Sequence, residues 1–326
     1  MKHKQLSKFP QGAMPHFKNP HIEKTYKKAV KVWTRDNQLY LLALPAVIYT
    51  FVFSYIPLYG LQIAFRRFVA SKGIWGSEWI GLENFERFFS SPQFTTILTN
   101  TLILSFYSLL AGFPLPILFA LLLNQTRNAK FKKTVQTVVY APHFISIVVM
   151  CGMLHIFLSP STGIVNNLLE FLGLEQIYFM GDPKLFPHIY VWSGIWQSTG
   201  WGTVIYIAAL SAINPEHYEA AKLDGASKLQ TIWYIDLPGI KPTIITLLIL
   251  NIGNIMGVGF QKAYLLQNAL NLPSSEIIAT YTYKMGILNG QFDYGAAIGL
   301  FNNVINAILL ILANRISRKL SETSLW

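Results

Sequence analysis

Apolar residues along this chain gather in six long runs, at residues 39–65, 97–123, 135–158, 186–213, 242–261 and 294–314, and none of these runs contains a Lys, Arg, Asp or Glu. A bilayer core is crossed by about 20 helical residues. The pattern therefore predicts six transmembrane helices and an all-α, polytopic membrane fold. A polar insert separates the fourth run from the fifth. Within it, Asn214-Pro215 marks a helix start, residues 216–223 read as helix, Gly225 interrupts, and a second helical run from Ser227 is expected to stop at Pro238. Glycine reaches backbone angles that a side chain forbids, and proline lacks the amide donor that a helix interior needs. Two short helices set at an angle should project from the membrane here. Asp293 reads as the N-cap of the sixth helix, which places its start at Tyr294.

Composition supports lipid as the solvent for much of the chain. Hydrophobic residues make up 52% and charged residues 13%, against about 25% charged in ordinary soluble domains. Basic residues accumulate in cytoplasmic loops. With both termini inside, the N-terminal arm, the loop after the second run, the polar insert and the tail hold 19 of the 26 Lys and Arg, leaving 7 outside. The expected organisation is a basic cytoplasmic arm (1–37), a six-span domain (38–316) with the insert at about 214–241, and a cytoplasmic tail (317–326). The net charge of +11 thus reads as membrane topology and not as nucleic-acid binding.

The arm lacks the apolar core and small-residue cleavage site of a signal peptide. Residues 22–33 read as a basic amphipathic helix on the anionic inner leaflet, and the first twenty residues equally as a disordered basic tail. The single cysteine, Cys151, excludes an intramolecular disulfide. Turn signals at Ser159-Pro160-Ser161-Thr162-Gly163 and Gly181-Asp182-Pro183 make the outer loops the candidate docking surface for an external partner.

Chemistry is sparse. No G-x-x-x-x-G-K-[ST] loop exists, and Gly257-Val258-Gly259-Phe260 lies in an apolar run without a preceding strand, so the chain holds no ATP of its own. Intramembrane carboxylates, which proton- or sodium-driven transporters use to bind the coupling ion, are lacking. Energy must then come from another subunit. An intramembrane enzyme is the reading from another class, but His143 and His155 sit about 120° apart on one helix. No H-E-x-x-H pair, nucleophile elbow or metal-ligand spacing accompanies them. Each reads as a histidine bonded to a neighbouring helix.

The insert carries Glu219-Ala220-Ala221, three residues, Gly225, nine residues, then Ile235-x-Leu237-Pro238. This spacing resembles the signature loop of permease subunits in binding-protein-dependent ABC importers, with every fixed position matched. The resemblance implies that the loop couples to a separate ATPase. Glu219 would pair with basic groups of that subunit, Ala220 and Ala221 would allow close approach, and Gly225 would set the bend. It extends from about residue 38 onward. Gly81-Leu82-Glu83-Asn84-Phe85 and Asn100-Thr101-Leu102 are similar to the sugar-importer branch related to the maltose permease. Ala141-Pro142-His143-Phe144-Ile145-Ser146 and the segment from Ser159 to Asn166 resemble the subgroup importing oligosaccharides from polysaccharides, including alginate and pectin fragments. The family's implied partners are a second homologous permease, two ATPase subunits holding ATP and Mg, an external solute-binding protein and the oligosaccharide itself, in a bacterial cytoplasmic membrane. No cofactor is expected on this chain. A permease for another solute, such as a peptide or amino acid, is the alternative.

A sugar path needs hydrogen-bonding groups beside flat apolar faces. Trp192, Trp196, Thr199 and Thr203 form one stripe of the fourth span, where Gly200 and Gly202 are expected to loosen the helix. Asn251, Asn254 and Gln261 share an arc of about 80° in the fifth, and Asn302, Asn303 and Asn306 one of about 100° in the sixth. Amides facing lipid are costly, so they should point inward. Helix packing competes for the same residues, since Gly253-x-x-x-Gly257 and Gly295-x-x-x-Gly299 are close-packing signals. Arg66, Arg67, Lys262 and Lys284 lie near the outer mouth, where they attract anionic sugar or anchor the interface.

Overall fold

The computed structural model describes residues 38–320. The basic arm, with its expected amphipathic segment at residues 22–33, and residues 321–326 of the tail lie outside the described residues. The chain divides into two units, residues 1–61 and 62–326. In the first, the described residues, 38–61, are the greater part of helix α1 (Gln38–Phe65), and none of residues 38–61 is buried. Its turns widen at Phe51–Tyr55 and tighten from Ile56. Pro57 explains the change, because its ring and missing N–H cannot fit a regular α-turn.

The second unit opens with a two-residue hairpin ladder, β1 (Arg66–Arg67) antiparallel to β2 (Glu78–Trp79). Then follow α2 (Glu83–Phe89), α3 (Phe94–Asn124), α4 (Ala129–Phe144), α5 (Ile147–Phe157), α6 (Ile164–Phe171), α7 (Phe186–Ser211), α8 (Pro215–Leu223), α9 (Lys228–Gly253), α10 (Phe260–Leu266), α11 (Ile278–Tyr283) and α12 (Phe292–Leu320). The fold is mostly helical. Among the described residues four helices, α1, α3, α9 and α12, are long and apolar enough to cross a membrane, and α4 with α5 makes a fifth if that bent pair is one span. Helix α7, although 26 residues long, is too polar to be among them.

Three expectations change. The third run is no straight helix: α4 and α5 meet at 96°, and Ser146 caps α5 by accepting a hydrogen bond from the Val149 amide at 3.2 Å. The fifth run is displaced. Helix α9 starts at Lys228, passes Pro238 without stopping and ends at Gly253, so Asn254 and Gln261 fall outside it. A wide π-helical turn at Ile232–Asp236 precedes Pro238, as one precedes Pro57. By shifting the hydrogen-bond register it puts the proline at the start of the next regular segment, where no amide donor is needed. The sixth helix begins at Phe292, with Asp293 inside its first turn, and reaches Leu320. Asp293 Oδ1 accepts from the Tyr294 amide at 2.9 Å and Oδ2 from the Phe68 amide at 3.3 Å.

Three apolar clusters hold these helices. One joins α3, α5, α7 and α10 through Leu104, Met150, Val191 and Leu266. Another joins α2, α3, α11 and α12 through Phe88, Ile97, Ile278 and Tyr294. The third joins α3, α7 and α9 through Leu121, Tyr206, Leu210 and Ile240. Small residues allow close approach where helices cross. A Cβ on Gly295 would lie 2.7 Å from the Gly286 Cα, and one on Gly200 would lie 2.0 Å from the Val139 carbonyl oxygen. Gly200 and Gly202 therefore pack against neighbours within an unbroken α7, contrary to the expected loosening.

The quoted motifs turn out to be joints. Asn84 donates to the Ala64 carbonyl at 3.1 Å, and Asn100 to the Pro273 and Glu276 carbonyls, each at 2.9 Å. Asn166, fully buried, donates to the Ser159 and Ile177 carbonyls at 3.0 Å and accepts from the Ile177 amide at 2.8 Å. Each amide satisfies backbone groups that irregular segments leave without a ladder.

Candidate functional site

The polar insert is a helical corner built from its own sequence. Asn214 caps α8 by accepting from the Glu216 amide at 3.1 Å, and Pro215 occupies the first helical position. Gly225 ends α8 at φ +74°. The Ala226 amide reaches back to the Ala221 carbonyl at 2.9 Å and the Gly225 amide to Lys222 at 3.2 Å, the paired bonds of a Schellman cap. Ser227 then opens α9 with a reciprocal capping box to Gln230. Two residues after the bend the next helix is already capped, so the corner is rigid.

Among its exposed polar residues the corner also presents large apolar ones. Leu223 is 89% exposed, Leu229 78%, Trp233 67% and Tyr234 73%. Glu219 and Ala220 are also exposed, as is Pro238, while Ala221, Ile235 and Leu237 are half-buried. Leu237 and Ile232 face inward, packed against the α3–α7–α9 cluster. The signature is thus split between an exposed face and a buried anchor.

The anchor has a polar centre that the sequence reading did not single out. Asp236, fully buried, accepts from the Tyr218 hydroxyl at 2.6 Å, from Gln125 Nε2 at 2.8 Å and from Asn124 Nδ2 at 3.2 Å. Helix α8, the wide turn of α9 and the end of α3 converge on one carboxylate. Burial, and then the hydrogen bond to Asp236, push the Tyr218 phenol up to about 12 from 10. The hydroxyl therefore stays a donor at neutral pH. An acidic residue at the variable position of I-x-L-P, two residues before a proline, is the available signal.

A cavity of about 660 Å³ lies among α3, α7, α9 and the segment after α9. Asn251 and Asn254 line it, and Asn251 also donates to the Leu247 carbonyl one turn back at 2.7 Å. The remaining expected path residues are elsewhere. Trp192 and Trp196 face a separate apolar pocket of about 380 Å³ with Met150 and Leu154. Trp192 Nε1 donates to the Tyr107 hydroxyl at 2.8 Å. Thr199 borders neither cavity. Thr203 is buried and donates to the Gly200 carbonyl at 2.6 Å. Gln261 and Asn303 are exposed and Asn302 half-buried, all off the cavity. Asn306 accepts from the Met256 amide at 3.0 Å, which helps fix the end of α9.

The α7 face on the cavity is the stripe Tyr190, Gly194, Gln197, Ser198, Trp201 and Ile205, spaced at three and four residues. The expected stripe of Trp192 and Trp196 lies on another face, whereas this one mixes small and polar residues with Tyr190 and Trp201 at helical spacing. Gln197 donates to the Ile145 carbonyl at 2.7 Å, closing the break between α4 and α5. His143 stacks on Trp201 with ring centroids 4.6 Å apart and planes at 2°, so it forms a flat face on the cavity and not the expected bond to a helix. His155 does bond a neighbour, the Leu265 carbonyl of α10, at 3.1 Å.

The basic residues also separate. Arg67 pairs with Glu78 at 3.1 Å and Glu83 at 3.3 Å, both exposed, and Lys284 with Glu276 at 2.7 Å. Arg66 donates to the Ser77 carbonyl at 2.8 Å and lies over Trp75 and Trp79. Lys262 is buried on the cavity wall, with Nζ donating to the Tyr190 carbonyl.

Residues 97–322 match the family of binding-protein-dependent transport system inner membrane components. The polygalacturonan/rhamnogalacturonan transport system permease protein YteP of Bacillus subtilis is 44% identical over 304 residues, 93% of this chain and 94% of that protein. Protein LplB of the same organism is 42% identical over 292 residues, 90% of this chain and 92% of its own length. A solved chain from a bacterial alginate ABC transporter, in complex with an alginate pentasaccharide-bound periplasmic protein, superposes with a TM-score of 0.83. It is 41% identical and covers 90% of this chain and 99% of its own. The chain belongs to the family of binding-protein-dependent transport system inner membrane components, the permease subunits of ABC importers.

Proposed function

We propose that this chain is one of two homologous six-span permease subunits that form the pore of an oligosaccharide importer in the cytoplasmic membrane. ATP is hydrolysed by separate subunits, and the chain does no chemistry on the sugar. Counting α7 and the bent α4–α5 pair with the four long apolar helices gives six spans, and the basic loops orient both termini inward. Substrate reaches the pore from an external binding protein. The relatives named for polygalacturonan, rhamnogalacturonan and alginate transport support an oligosaccharide, and in particular an acidic one, as cargo.

The observation that carries the reading is the capped corner of α8 and α9, with Leu223, Leu229, Trp233 and Tyr234 exposed on it and Glu219 beside them. Exposed aromatic and aliphatic side chains on a rigid polar element mark a partner surface. The ATPase subunit docks there, and the cavity bounded by α7 and α9 forms this chain's part of the sugar path. Co-purification tests it: the intact complex should retain its ATPase through detergent extraction, and Glu219→Lys or Trp233→Asp should release the ATPase while the two permeases stay paired. A permease pair that keeps its ATPase after both changes would remove the corner from the docking site.

A further inference from the structure

Lys262 is the one Lys, Arg, Asp or Glu among the described residues that line the cavity. The other polar groups there are neutral amides and hydroxyls together with His143. Lys262 is 7% exposed. Its Nζ donates to the Tyr190 carbonyl and lies 4.6 Å from the centroid of the Tyr190 ring. An ammonium has three donors, and this carbonyl is the one hydrogen-bond acceptor the described residues give it. No carboxylate among them pairs with it, whereas Arg67 and Lys284 each have one.

A buried ammonium without a counter-charge is costly, and a methionine of similar length would pack the same space without that cost. The wall is also shaped around it. A Cβ on Gly194 would lie 2.9 Å from Nζ, so the glycine leaves room for the ammonium on α7's cavity face. A low-dielectric recess with one fixed positive charge concentrates anions.

We infer that Lys262 is a specificity-determining residue that engages the carboxylate of a uronic acid unit as the oligosaccharide crosses the cavity. The inference rests on the importer reading above. The Tyr190 carbonyl and ring hold the ammonium between transits. An arriving carboxylate takes a remaining N–H in a charge-assisted hydrogen bond. Lysine suits passage because it is a compact point charge, in contrast to the two-pronged grip of arginine. Neutral groups nearby, Gln197, Ser198, Asn251 and Asn254, are left for the hydroxyls of either a charged or an uncharged sugar.

The test uses the complete complex in proteoliposomes, with its binding protein, and follows uptake of a galacturonate trisaccharide and of its carboxyl-reduced, neutral counterpart. Lys262→Met should lower uptake of the acidic sugar at least tenfold, and Lys262→Arg, which keeps the charge, less than threefold. If the Met variant does not assemble with its ATPase, Lys262→Gln replaces it. Similar losses in the Met and Arg variants, an equal loss for the neutral sugar, or no loss at all would overturn the assignment. A wild-type complex that carries the neutral but not the acidic sugar also overturns it while leaving the importer reading intact. Transport of neither sugar overturns that reading and the assignment with it.

Discussion

The contact between Tyr218 and Asp236 fixes the proposed docking corner to the body of the permease, and a double-mutant cycle can weigh it. Asp236 is fully buried and takes three side-chain donors, of which the Tyr218 hydroxyl is the closest at 2.6 Å. Hydrogen bonds to a charged group contribute about 1.5–3 kcal/mol. Tyr218, Asn124 and Gln125 are only half-buried, so each can recover a water when its partner is lost. The low end, about 1.5 kcal/mol, is therefore the expected coupling. Asp236→Leu is the suitable partner change because it keeps much of the volume while removing both acceptor oxygens. Tyr218→Phe removes the hydroxyl and little else. Thermal unfolding of the detergent-solubilised complex should show the double variant destabilised by about 1.5 kcal/mol less than the two single changes added together. Additivity within about 0.5 kcal/mol would refute a direct bond of this strength. The pH dependence has a definite sign. Because the phenol is pushed up to about 12, above its usual value near 10, its contribution is complete below pH 10 and is lost as the pH rises through 12. Wild type should therefore lose more stability than Tyr218→Phe between those limits.

Two further outcomes follow from backbone geometry. Gly225→Val places a β-branched residue at φ +74°, costing at least about 1–2 kcal/mol, and should reduce ATPase retention on co-purification while barely changing the yield of the permease pair. Gly295→Val should instead reduce yield and thermal stability of the permease itself, since a Cβ there lies 2.7 Å from the Gly286 Cα and neither backbone can give way cheaply.

Much of the fold was legible because lipid imposes a simple rule: apolar runs become helices. The corner was legible for a local reason, since Asn214-Pro215, Gly225 and Ser227 each specify a cap or a bend independently of distant contacts. Breaks inside apolar runs were harder to read. The 96° turn after Phe144 depends on Ser146 capping one helix and Gln197 of α7 bonding the Ile145 carbonyl, a partner 52 residues away. Pro238 does not stop α9, because proline excludes a regular α-turn but tolerates a widened one. The residues expected to line a sugar path show a different limit. Periodicity shows that Trp192 and Trp196 share a face, but the choice of the face that meets the cavity depends on how α7 packs against α3 and α5. Asn251 and Asn254 reach the cavity through the end of α9 and the break that follows it, not through the continuous helix expected there.

The continuity of α9 past Pro238 bears on the proposed coupling between the corner and the span. A helix ending at the proline would leave a hinge between the docking corner and the span, and motion of the corner could dissipate there. Helix α9 instead runs unbroken for 26 residues from Lys228 to Gly253, about 39 Å at 1.5 Å per residue. Near its far end it carries Leu247 and Asn251 on the cavity wall. Helix α7, the opposite wall, ends at Ser211 and feeds α8 within four residues. The two helices of the proposed docking corner are thus extensions of the two helices that bound the cavity. A tilt of α9 by roughly 10° about its middle would displace each end by roughly 3 Å. The Asp236 contacts and the packing of Ile232 and Leu237 keep the near end from bending separately. Loss of these ties should then uncouple the machine and not merely weaken it: ATP hydrolysis would continue while uptake per ATP falls.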